Sequence, residues 1–331
     1  MITRRNLMKT TLAGSAVLAM PWVARAAAQS IRFAHAANEI HPGHKIATSF
    51  AEALEELVPG AFDVQIFPNR QLGTDKQNLD SVTAGTIEMS NSSGVLFPLV
   101  TGRPGLDAYQ LPFLIRDYDH FAAIAETEIV QKIHDDLQPA GLVGLATADI
   151  GQRHFLSVGE PVKTVAEFAG LKTRIVPVPL HKAIWEAVGT TPIGLPYGEI
   201  YGALETKTID AVEINVSSML GENLWEVGKN FTLTGHYPWH STTTVNKAFF
   251  DGLSGELQEA MREAGRRSVT ATLAYTKTQD NDGRDELRKK GVEIFELENL
   301  AEMQAKVAPI VDQWSEKSPL IGEFVKAARS L

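Results

Sequence analysis

From Gly255 to Lys290 the chain carries no proline and is rich in Ala, Glu, Arg and Leu. An unbroken helix of that length measures about 54 Å at 1.5 Å per residue. That exceeds the width of one small domain, so the helix either kinks or lies across two. Gly265 and Gly283 are the places where a bend would fall. A length of 331 residues leaves room for two modest domains. The remaining chain therefore has to supply bodies that can share one rod.

Ahead of that helix, strand and helix patterns alternate. Residues 30–36 (SIRFAHA) alternate as a strand, and apolar residues recur at helical spacing over 44–58 until Pro59-Gly60 stops them. Residues 62–67 (FDVQIF) place Phe62, Val64 and Ile66 on one face, the signature of a half-buried strand. Thr74 is placed to cap a helix running to Ala84, with a strand over 86–90 beyond Gly85. Further strands are expected over 142–146, 171–176 and 209–214, and helices over 181–188 and 197–205. Such alternation indicates layered α/β domains with mainly parallel sheets. No repeat and no linker separates the domains, so the chain is expected to cross between them more than once.

The first 28 residues stand apart. Arg4 and Arg5 are followed by a short apolar stretch and by small residues that suit cleavage near Ala26 or Ala28. The stretch is about half the roughly 20 residues a spanning helix needs. Its Thr3-Arg4-Arg5-Asn6-Leu7-Met8-Lys9 run resembles a twin-arginine export signal. Cleavage after Ala26 would leave 27 basic against 40 acidic residues, a net charge of −13. That field repels nucleic acid and anionic lipid. Cysteine is absent, so an exported form has neither disulfides nor a thiol for lipidation; a free periplasmic protein is expected.

Nucleotide-binding glycine loops, a serine elbow and the zinc-protease helix motif are missing from the sequence. His35, His41 and His44 cluster beside Glu39, but Pro42-Gly43 breaks the segment. Surface or helix-capping roles are favoured over a metal site, and neither metal nor cofactor is expected. Trp239, in the His236–His240 aromatic cluster, either packs in the core or walls a ligand pocket. Arg174 heads an apolar run and has no acid within helical reach, while Arg153 lies upstream. Each guanidinium either pairs with an acid of the chain or offers its two parallel N–H donors to a ligand carboxylate.

Five ordered segments, PNRQLG (68–73), SVTAGTIEM (81–89), LPFL (111–114), GLKTRIV (170–176) and EIYGALETKTIDAVE (199–213), resemble the TRAP transporter solute receptors of the DctP type. The resemblance runs from about Ile31 to the last helix. It implies a two-lobed periplasmic binding protein clamshell, with lobe I over 29–150 plus 241–280 and lobe II over 151–240 plus 281–331. The long helix would bridge both. Such a receptor, expected as a monomer, delivers an organic acid to a TRAP membrane permease. Arg174 matches the arginine that grips the carboxylate, and Arg153 a second one on the same lobe. Tyr197, Ser93 and the segment from His35 to Asn38 fall at cleft-lining positions. Many members follow this pattern with an Asn as a ligand contact; here Ile214 occupies that place and Asn215 comes one residue later. The Asp210-Ala211-Val212-Glu213 run is similar to that of oxo-acid receptors in which a metal accompanies the ligand. Two other clients of the same fold stay open, a sensor system and an enzyme using His35 or His236 as a base.

Overall fold

A computed structural model describes residues 28–331. The export signal expected over 1–28 therefore lies outside the described residues, apart from Ala28. Eleven strands run in chain order: β1 (Gln29–His35), β2 (Phe62–Phe67), β3 (Met89–Ser93), β4 (Leu142–Gln152), β5 (His154–Ser157), β6 (Lys172–Ile175), β7 (Thr191–Gly194), β8 (Ala211–Ile214), β9 (Asn230–Leu233), β10 (Pro238–Asn246) and β11 (Glu293–Glu296). They form two sheets, ordered β2-β1-β3-β10-β4 and β11-β9-β5-β8-β6-β7. Each sheet is the centre of one lobe.

The alternating FDVQIF segment becomes β2, paired in parallel with β1 from Gln29↔Phe62 to Ala34↔Phe67. Thr74 caps the helix Asp75–Thr83 in a capping box with Gln77. The following strand starts three residues later than its sequence pattern suggests. Thr86 is used by the turn that closes this helix, its N–H donating to Ser81 O at 2.9 Å beyond Gly85, whose φ is 73°. The pairing is parallel apart from one strand in each sheet: β10 runs against β3 and β4, and β5 against β8 and β9. Those are the strands reached directly when the chain passes from one lobe to the other, from β4 into β5 and from β9 into β10.

Ile31, Phe33, Phe50, Leu54, Met89 and Val245 make the core of the first lobe. Leu156, Leu204, Val212, Ile214 and Phe231 make that of the second. The C-terminal helices tie the two together. Helix Leu300–Ser315 packs on helix Pro179–Val188, while helix Pro319–Ser330 packs on helix Glu128–Asp135 and the 105–110 turn. The last helix thus lies against the first lobe rather than with the rest of 281–331. Its apolar face (Ile321, Phe324, Val325, Ala328) is buried there, with Phe324 4.7 Å from the Tyr109 ring.

The long helix is a single element, Gly255–Lys289. Its two central glycines are packing points rather than bends. A Cβ on Gly265 would stand 2.8 Å from the Leu145 carbonyl of β4, and one on Gly283 2.5 Å from Val216 of the second lobe. Only a bare backbone lets the rod lie so close to both lobes at once. Gly265→Val should therefore lower stability by about 1–3 kcal/mol, the usual cost of overpacking. Urea denaturation measures it; an unchanged midpoint would show that the helix does not need this close approach.

Candidate functional site

The carboxyl ends of β1, β3, β6 and β7 point toward a common crevice, the place where open α/β sheets expose their loops. A cavity of about 230 Å³ lies there. The first lobe lines it with His35, Asp75, Asn91, Ser93, Leu96, Ser241 and, from β10, Trp239; the second with Arg153, Arg174, Val176, Tyr197 and Ser218.

Arg174 stands in β6, paired in register with Ile193 of β7, and is 2 % exposed. Its Nε and Nη2 both donate to the Leu195 carbonyl, at 3.0 and 2.9 Å, just past the end of β7. That double bond to one oxygen fixes the plane of the guanidinium. Nη1 makes no hydrogen bond; Glu213 Oε1, 3.9 Å away, supplies opposite charge only. Burial pushes the Arg174 pKa down to about 10, with Glu213 holding it up, so the group stays cationic at neutral pH. A fixed fork with unspent donors thus lines the cavity.

Arg153 has the other fate foreseen for these arginines. Its Nε donates to Glu213 Oε2 at 2.5 Å and its Nη2 to the Glu213 carbonyl at 2.6 Å. The Trp239 ring lies 4.1 Å from its guanidinium carbon, a cation–π contact that makes the tryptophan a cavity wall as well as a packing residue. Tyr237 donates a further hydrogen bond to Glu213 Oε2 at 3.3 Å. Glu213 is fully buried in β8. It is therefore an internal counter-ion, and among the described residues no cluster of three acidic, histidine or cysteine side chains is placed to hold a metal.

Six of the residues singled out from the sequence, Arg174, Arg153, Tyr197, Ser93, Trp239 and His35, are brought together around this cavity. Two are not. Asn215 follows β8 as the N-cap residue of helix Val216–Gly221, and its amide donates to the Ile150 carbonyl at 2.7 Å and to Ser217 Oγ at 3.1 Å. Because the strand stops at Ile214, Asn215 is spent on the joint between the lobes. Asn38 sits at the rim, where its side-chain oxygen accepts from Ile40 N.

His35 and His41 are buried rather than on the surface, and His44 is half-buried. His41 caps helix Pro42–Leu57, its Nδ1 accepting from Gly43 N at 3.0 Å, while Nε2 meets Ser218 Oγ of the second lobe at 3.2 Å. Burial pushes His41 down to about 3, aided by the Arg153 charge. His35 falls to about 3 for the same first reason, with His44 and His41 adding to it. Asn91, Asp75 and Ser218 were not anticipated. Asn91 lies one residue beyond the expected end of its strand, and Asp75 reads from sequence as an ordinary first-turn acid. Its carboxylate accepts from Ser93 N at 3.0 Å, and burial pushes it up to about 6.

Glu213→Gln should cost about 3–5 kcal/mol of stability, because it leaves two buried guanidiniums without their shared anion. Chemical denaturation checks this; a change under about 1 kcal/mol would show that the pair is solvated after all.

Residues 33–317 match the model of the DctP family, described as bacterial extracellular solute-binding protein, family 7. The chain is 30% identical over 91% of its length, and 92% of the relative's, to the 2,3-diketo-L-gulonate-binding periplasmic protein YiaO of Escherichia coli. It is 29% identical to the C4-dicarboxylate-binding periplasmic protein DctP of Rhodobacter capsulatus, over 96% of each. The fold superposes with a TM-score of 0.86 on a TRAP periplasmic solute-binding protein from a Bradyrhizobium species in complex with D-galacturonate, at 27% identity, covering 92% of this chain and 100% of that one. With a two-lobed α/β frame, a buried guanidinium fork in the crevice and a family match over most of its length, this chain belongs to family 7 of the bacterial extracellular solute-binding proteins.

Proposed function

We propose that this chain is a periplasmic receptor that captures a small organic acid by its carboxylate and hands it to a TRAP-type membrane permease. The observation that carries the reading is Arg174: a buried guanidinium, oriented by Leu195, with donors left over and a cavity beside it. Charge-assisted hydrogen bonds contribute about 1.5–3 kcal/mol each. Two of them supply much of the roughly 8 kcal/mol that micromolar affinity requires. Among the described residues, buried side-chain polar atoms without a hydrogen-bond partner lie at the same cavity, Ser93 Oγ among them. They suit an acid that carries hydroxyl or keto oxygens, as the names of the galacturonate and diketogulonate receptors also suggest. The family's description as extracellular and solute-binding supports export and a binding role.

An enzymatic role is less favoured by the candidate bases. His236 is buried away from the cavity beside Trp185 and Thr234. His35 lines the cavity, but a pKa of about 3 makes it a weak base. No helix of the described residues is long and apolar enough to cross a membrane.

A thermal-shift screen over uronic, aldonic, keto and C4-dicarboxylic acids should reveal the ligand, since a compound bound only by the folded form raises its melting point. With the acid so found, calorimetry on Arg174→Ala should show affinity reduced at least about 100-fold, and Arg174→Lys about tenfold, because lysine lacks the planar fork. Unchanged affinity in Arg174→Ala would remove the arginine from the site. Small-angle scattering should show compaction on adding the same acid; superimposable profiles would contradict closure around a ligand.

A further inference from the structure

We propose that Arg70 is a positioning residue that latches the two lobes shut across the cavity through Glu222. Arg70 belongs to the turn after β2, in the first lobe. Glu222 follows helix Val216–Gly221, in the second. The guanidinium forks onto the carboxylate, Nη1 to Oε1 at 3.0 Å and Nη2 to Oε2 at 3.1 Å. Both side chains are largely shielded, at 26% and 14% exposure, so this pair is less screened than a surface one.

Three independent features point to a built contact. First, the turn that carries Arg70 is held in an unusual backbone: Asn69 and Arg70 have φ of 54° and 62°. Arginine seldom adopts that region unless its surroundings require it. Asn69 N is bonded to the Ala37 carbonyl at 2.7 Å, and Arg70 Nη1 also reaches the Ala36 carbonyl at 3.3 Å. The turn is thereby anchored to the end of β1, and its arginine is aimed over the crevice. Second, Glu222 sits at the carboxyl end of a helix, where the helix dipole disfavours an acid. The cation that offsets this comes from the opposite lobe. Third, the same guanidinium lies 5.4 Å from the Tyr197 ring centre, and its stem runs beside Gly198. Arg70 therefore holds the Tyr197 wall of the cavity while it spans the gap.

This pair exists only when the lobes are together, so it stabilises the closed state and slows the escape of whatever lies beneath it. The proposal rests on the reading that the lobes close over a ligand. It can be tested without one, so its failure would leave capture by Arg174 untouched.

The chain contains no cysteine, and a Cβ on Gly221 would stand 2.0 Å from the Asn38 amide across the cleft. Asn38→Cys with Gly221→Cys therefore makes a disulfide trap for the closed form, within the reach such bonds need. At fixed oxidant the trapping rate follows the closed population. Adding Arg70→Ala or Glu222→Gln to the trap should slow disulfide formation about three- to tenfold, as expected for a well-formed, partly shielded ion pair. Arg70→Lys, which keeps charge and loses the fork, should fall between. The exchange Arg70→Glu with Glu222→Arg should recover a substantial part of the rate. Equal rates in all variants would overturn the latch. So would slow singles with an equally slow exchange variant of native circular dichroism, since the effect would then not come from the pair.

Discussion

Two guanidiniums and one carboxylate are buried together in the wall of the crevice, and the rest of the site follows from that imbalance. Glu213 cancels one of the two positive charges, and the remainder is left facing a cavity. Taking such charges out of water is costly unless every donor is accounted for. Here the Leu195 carbonyl takes two donors of Arg174, the Glu213 carboxylate and carbonyl take one each from Arg153, and the Trp239 ring lies against the Arg153 guanidinium. Arg174 keeps an edge of its guanidinium toward the cavity. In a chain with an excess of acidic residues, this is a local sink for negative charge within a repelling field.

The frame is what allows that sink to be both dry and accessible. Strand ends from two sheets converge on it, so its walls belong to bodies that can separate. The long helix touches both bodies, and the two C-terminal helices, packed on one another, lie one against the second lobe and one against the first. Glycines at 265 and 283 let the rod approach each lobe closely. His41 with Ser218 and Arg70 with Glu222 are contacts between the two lobes at the rim.

Much of this was legible in the residues. The FDVQIF alternation, the Thr74 cap and the proline-free run that demands two bodies are local signals, and they gave rise to the elements they indicate. Arg174 stood out because no acid lay within helical reach along the chain. What failed to read correctly had non-local causes. Asn215 falls just past its strand, at the start of a helix, and its amide is spent on the Ile150 carbonyl. The strand beside Asn91 slipped by three residues because Thr86 was taken by a turn. Arg153 and Arg174 looked alike in sequence; only the pairing of β5 with β8 brings Glu213 to one of them at hydrogen-bonding distance.

By itself, then, the sequence determined the alternation of elements, the two-body frame, the acidic surface and the presence of a guanidinium with no local partner. Those properties depend on residue spacing and composition, which short-range physics reads directly. Tertiary structure alone decided which arginine is spent and which is left open, which histidines are capped and neutral, and which rim residues meet across the cleft. Each of these depends on residues far apart in the chain reaching hydrogen-bonding distance, and a shift of one strand residue turns a side chain to the opposite face.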